Sequence, residues 1–165
     1  MLFAYSKGLV LSLSLIVAIG SQNAFVLRQG ILRHHVWPVV FLCAFGDAFL
    51  IIAGVAGLPL LIGDFVVQIA PWLFGGAAMW LFGYGALRIR DVFGNDALTI
   101  DNRPVGSVWT SLGITVALTF GNPHVYLDTV GLIGTVSLQF GGMNKLAFAA
   151  GAITASFIFF PMLGY

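Results

Sequence analysis

Asp47 sits within the run Val36 to Gly63, which carries no other charged residue. A carboxylate near the centre of a bilayer costs about 2.5–3.5 kcal/mol on insertion scales, so such groups usually turn inward and serve a function. Asp128 follows Gly121-Asn122-Pro123, an interruption in a second apolar run. Gln22, Asn23 and Asn122 place side-chain amides beside interrupted stretches, Tyr126 adds a hydroxyl, and His124 adds a group that titrates near neutral pH. Together these residue types suit the binding of a cation or a proton by carboxylate, and of an anionic group by amides and by the free N–H groups of a broken helix.

Each residue also has a plainer reading. Asp47 could serve as a hydrogen-bond acceptor between helices, and Asp128 could lie at a helix end among lipid headgroups. The amides and Tyr126 could be packing bonds, and His124 a backbone-bonding histidine. His34 and His35 are adjacent in a short connection with no further ligands, which makes a poor metal site. Cys43 is the only cysteine, so a disulfide framework or cysteine metal centre is excluded, and no metal or cofactor is expected.

The elements that position these groups follow from composition. Hydrophobic residues make up 59% of the 165 residues and charged residues 8%, against about 45–50% and about 25% in soluble domains. Too few polar groups exist to cover a water-facing surface, and the net charge of +1 gives no field for nucleic acid. A bilayer core needs about 20 helical residues to cross it. Runs of that size predict a first helix over Gly8 to Leu27, a second over Val36 to Gly63 and a third over Phe65 to Leu87. A broken fourth is expected over Ser107 to Val136 and a fifth over Leu146 to Tyr165. Trp37, Trp72 and Trp109 fall near helix ends, as interfacial aromatics do.

Arg28, Arg33, Arg88, Arg90 and Arg103 gather at the first and third connections, with Lys7 and Lys145 on the opposite side, which puts the amino terminus outside. The segment Gly20-Ser-Gln-Asn-Ala-Phe-Val-Leu-Arg-Gln-Gly30 is echoed by Gly121-Asn-Pro-His-Val-Tyr-Leu-Asp-Thr-Val-Gly131. Such paired interruptions predict one transmembrane domain over 1–165 made of two inverted three-helix repeats. The expected bounds are about 1–87 and 104–165, joined by a polar loop at 88–103. The fold class is therefore an all-α polytopic integral membrane protein with broken helices one and four. Small-residue spacings at Gly75-Gly-Ala-Ala78 and between Gly142 and Gly151 permit close helix contacts within a chain or in a homo-oligomer.

The Gly20–Gly30 run, Asp47, Asn122-Pro-His-Val-Tyr-Leu-Asp-Thr129 and Ala149-Ala-Gly-Ala-Ile-Thr-Ala-Ser-Phe157 resemble the basic amino-acid exporters of the LysE superfamily, most closely its arginine-exporter branch. The resemblance implies a multi-pass protein of the bacterial inner membrane that exports L-arginine or L-lysine. It also implies six helices, so the run ending at Tyr165 is expected to belong to a chain one helix short of the family. A guanidinium carries donors in a fork that matches a carboxylate, which suits Asp47 or Asp128. Expelling a cation from a cell negative inside costs about 2.3 kcal/mol per 100 mV, and exchange for an inward proton removes that cost. The expected site comprises Asp47, Asp128, Gln22, Asn23, Asn122, Pro123, Tyr126 and His124, with protons and lipid as the other partners. Two other readings compete with transport. One is a non-transporting remnant or subunit of an exporter, and the other is an intramembrane aspartyl protease built on the two aspartates.

Overall fold

The structure, a computed structural model, describes residues 1–18, 20–57, 107–122 and 125–165, together with Gly75, Met79 and Phe82. Met1–Gly63 and Gly106–Tyr165 fall in one compact unit. Within Asp64–Val105, a second unit, the described residues Gly75, Met79 and Phe82 are helical and exposed. The expected third helix otherwise lies outside the described residues, as does the loop at 88–103.

The larger unit is helical. It contains α1 (Leu2–Ile16), α2 (Ser21–Leu32), α3 (Val36–Val55), α4 (Val108–Phe120), a π-helix (Tyr126–Ile133), the single turn α5 (Gly134–Ser137) and α6 (Gly142–Gly164). Two of these, α3 and α6, are long and apolar enough to cross a membrane alone. The expected first crossing is not one straight rod. It is α1 followed by α2, bent by 81°. The expected fourth crossing is likewise interrupted, since α4 stops at Phe120 and helical backbone resumes on the far side of Asn122. The second interruption falls within the Gly121-led segment, whereas the first comes just before its echo, since α1 ends at Ile16 and Ser21 to Gly30 are helical in α2.

The frame is built on α1 and α6, which cross with almost no side chains between them. A Cβ on Gly8 would run into the carbonyl of Phe148, and one on Gly151 into the carbonyl of Tyr5. The two helices run in the same direction. The start of α1 shares a cluster with Phe148 (Ala4, Ala152), and its end, Ile16, packs with Phe160 and Val40. In lipid, where apolar side chains gain little from leaving their solvent, this closeness is what holds helices together. Helix α3 runs antiparallel to α6, with Asp47 opposite Ser156 and Val36 and Val40 against Gly164. It runs parallel to α4, since His35 meets Ser111 and Gly46 meets Thr119 and Phe120. Further along, Gly54 admits the backbone of Thr129 and Val130, and Gly134 packs on Gly54 in return.

Gly8→Leu and Gly151→Leu should each cost about 1–3 kcal/mol or more through overpacking. The readout is the thermal unfolding midpoint of detergent-purified protein. Gly113→Leu, where an added Cβ meets nothing within 4 Å, serves as the control and should leave the midpoint nearly unchanged.

Candidate functional site

Asp47 lies close to the middle of α3, the longest described stretch of uninterrupted apolar helix before residue 107. It is 6% exposed. Its Oδ2 accepts a hydrogen bond of 3.2 Å from Ser156 Oγ on α6. Among the described residues no Lys, Arg or His forms an ion pair with it, so a neutral hydroxyl is the donor it holds. Ser156 stands inside the Ala149–Phe157 motif. Sequence reasoning gave it no role, because one serine in a small-residue stretch looks like packing.

The break between α1 and α2 lies beside this carboxylate. Asn23 is buried, and its Nδ2 donates to the carbonyls of Ile16 at 2.7 Å and Ala18 at 3.0 Å. These carbonyls belong to the end of α1, where the helix leaves acceptors without partners. Gln22, also buried, lies against the Cys43 thiol one turn before Asp47. The first turn of α2 starts at Gly20, which is extended (φ −103°, ψ 179°) and offers no side-chain cap. Its opening N–H groups therefore lack intrahelical partners, and Gly20 and Ser21 are exposed. From Cys43 to Asp47 the rise is one helical turn, about 6 Å.

The second break approaches Asp47 from the α4 side, because Gly46 packs on Thr119 and Phe120 just before the interruption. Here Tyr126 does what Asn23 does in the first half. Its Oη donates to the carbonyl of Phe120 at 2.9 Å, stitching the two sides of the break. The donors of Asn23 and Tyr126 are therefore committed to backbone.

Asp128 stands elsewhere. It is half-buried in the π-helix. Its neighbours Thr129 and Val130 meet α3 at Gly54, seven residues beyond Asp47, which is about 10 Å along the helix axis. Neither Asn122 nor Asp128 is without a partner. Pro123 and His124 lie outside the described residues. The structure thus sets Gln22 by Cys43, one turn from Asp47, gives Asn23 to the end of α1, packs Thr119 and Phe120 on Gly46, and sets Asp128 at a different level.

Among the described residues, apolar helices with two side-chain-stitched breaks around one buried carboxylate have the character of a multi-pass membrane protein. Residues 13–165 match the family model for the LysE type translocator. A Mycobacterium bovis protein named as an amino-acid transporter is 41% identical over 153 residues, covering 93% of this chain and 75% of its own. The arginine exporter protein ArgO of Enterobacter is 37% identical over 166 residues (97% and 76%), and that of Pectobacterium atrosepticum 38% over 157 residues (94% and 76%). No solved structure matches. The chain belongs to the LysE translocator family.

Asn23→Ala removes a buried donor and should cost about 1–3 kcal/mol, while Tyr126→Phe removes a donor from a more exposed break and should cost about 0.5–1.5 kcal/mol. Denaturant or thermal unfolding in detergent would measure this. Double substitution should be close to additive, since the two breaks are stitched separately.

Proposed function

We propose that this chain exports a basic amino acid, L-arginine foremost, across the bacterial inner membrane in exchange for protons, with Asp47 as the carboxylate that takes either the substrate cation or the proton. The observation that carries the reading is the buried mid-helix Asp47, held among the described residues by one neutral donor, Ser156. A carboxylate with no resident cation beside it is free to neutralise one that arrives. In a medium of reduced dielectric the choice between a guanidinium and a proton is strongly felt. One negative charge cannot hold both, so loading one expels the other. That competition is the simplest form of obligatory exchange.

The substrate's own carboxylate fits the N-terminus of α2, where unpartnered N–H groups and the positive end of the helix dipole point the same way. Gln22 adds an amide between the two ends of the substrate. The amino-acid exporter names of the relatives support the substrate class. Arginine stands ahead of lysine because a guanidinium meets both carboxylate oxygens at once. The family and the site favour a carrier over a hydrolase. An aspartyl dyad needs two carboxylates sharing one proton, and the backbone around Asp128 meets α3 two turns away from Asp47.

In proteoliposomes containing this chain, labelled arginine should show counterflow, and an imposed proton gradient should drive its accumulation. Asp47→Asn should abolish the gradient-driven component, a loss of about a hundredfold or more if the charge is the coupling group. Wild-type gradient-driven transport in Asp47→Asn would overturn the assignment. Absence of counterflow in the unaltered chain would favour a non-transporting member of the family.

A further inference from the structure

Of the four hydroxyl residues on helix α4, Ser111, Thr115 and Thr119 stand one turn apart on a single face, and these three are buried. In a lipid-solvated protein a hydroxyl face turned inward along a whole helix calls for an explanation, because apolar residues would pack there without a desolvation cost. Part of the demand is met locally, since Thr115 Oγ1 donates to the Ser111 carbonyl at 2.8 Å. At the two ends the hydroxyls look outward from their own helix. Ser111 Oγ lies 3.3 Å from His35 Nδ1, and Thr119 lies beside the Cys43 thiol while its Oγ1, fully buried, has no hydrogen-bond partner. Gln29 Oε1 on α2 is a second buried acceptor without a partner. Atoms of this kind cost about 1–3 kcal/mol each unless water reaches them.

The stripe leads somewhere at each end. Thr119 packs its methyl on Gly46, the residue before Asp47, and its hydroxyl lies by Cys43, one turn before Asp47. His35 sits at the start of α3 in the left-handed region (φ 51°), as does Arg33 (φ 51°), in the tight connection from α2. The titratable and charged groups around that mouth are His34, whose ring meets the His35 ring edge-on at 4.9 Å, and Arg33. At the inner end Cys43 is the titratable group beside Asp47. By the arginine asymmetry this mouth is on the cytoplasmic side.

From these observations we infer that Ser111, Thr115 and Thr119 form a water-bridged proton path between His35 at the cytoplasmic mouth and Asp47 at mid-membrane. Residues four apart on a helix stand about 5–6 Å apart, so one water bridges each gap with ordinary hydrogen bonds. Each hydroxyl takes a proton on a lone pair and releases its own to the next water, Thr115 first rotating its hydroxyl off the Ser111 carbonyl. The Asp47 carboxylic acid becomes a carboxylate, and one proton leaves through His35 to the cytoplasm. Nothing is oxidised, and no covalent bond to carbon changes. The inference rests on the reading of Asp47 as the proton-carrying group. It adds the route by which that proton departs.

The test uses the full chain in liposomes with two readouts, arginine counterflow without a pH gradient and arginine-coupled proton movement followed by an internal pH dye. Thr115→Val and Ser111→Ala should slow coupled proton movement about tenfold while counterflow stays within about twofold. Thr115→Ser, which restores the hydroxyl, should keep both. Wild-type proton movement in Thr115→Val overturns the path, and so does an equal loss of both readouts in Thr115→Val and Ser111→Ala, which would mark the stripe as packing. Asp47→Asn separates the two levels. If it still couples protons, the Asp47 reading fails and the path with it. If it is proton-silent while Thr115→Val is normal, the path alone fails.

Discussion

Inside a bilayer every backbone N–H and C=O must find a partner within the protein, and a helix interrupted at mid-membrane leaves several without one. The fold depends on how this is solved twice. At the first break the amide of Asn23 reaches back to the carbonyls of Ile16 and Ala18. At the second the hydroxyl of Tyr126 reaches back to Phe120. In both, a side chain just after the interruption takes up carbonyls that the preceding helix has abandoned, and the π-helix after the second break widens the turn further. The stitched carbonyls are those of Ile16 and Ala18 at the first break and of Phe120 at the second, while the start of α2 has no side-chain cap. The stitches stabilise the breaks without closing them.

Glycines then decide which helices can come close to the broken ones. Gly46 and Gly54 lie on α3 where the end of α4 and the π-helix come against it. The crossing at Gly8 and Gly151 holds α1 on α6, and it therefore sets Ser156 opposite Asp47 and the end of α1 within reach of Asn23. A larger side chain at any of these contacts would push the facing backbones apart and loosen the polar centre with them. The frame and the site are in this sense inseparable, with van der Waals closeness standing in for the hydrophobic drive that lipid cannot supply.

Much of this was legible in the chain. Uncharged runs marked where helices lie but not their ends: α1 starts at Leu2 rather than Gly8, α2 runs on to Leu32 rather than Leu27, and α3 ends at Val55 rather than Gly63. α3 begins at Val36 as expected, and α6 begins at Gly142, a turn earlier than the run from Leu146, because Gly141 and Gly142 rather than Lys145 set its start. The echoing segments located the second break and the resumption of helix just after the first. Asp47 stood out because one charge in an apolar helix is costly and therefore conspicuous. Ser156, the stripe on α4 and His35 were less visible. The hydroxyl spacing of 111, 115 and 119 is a helical period that could have been read, but serine and threonine are ordinary in membrane helices and back-bond to their own turn.

Composition and periodicity by themselves determined that the chain is an all-helical membrane protein with two interrupted crossings and a charge that needs a reason, because those are properties of how each segment meets lipid. Which groups face one another is a property of how segments meet each other. Only the tertiary structure could set Asp47 against Ser156, place Asp128 two turns away at the level of Gly54, and give Asn23 and Tyr126 to the backbone. Those outcomes turn on helix rotation and on contacts between residues distant in sequence, and a rotation of a fraction of a turn would have changed every one of them while leaving the hydropathy pattern the same.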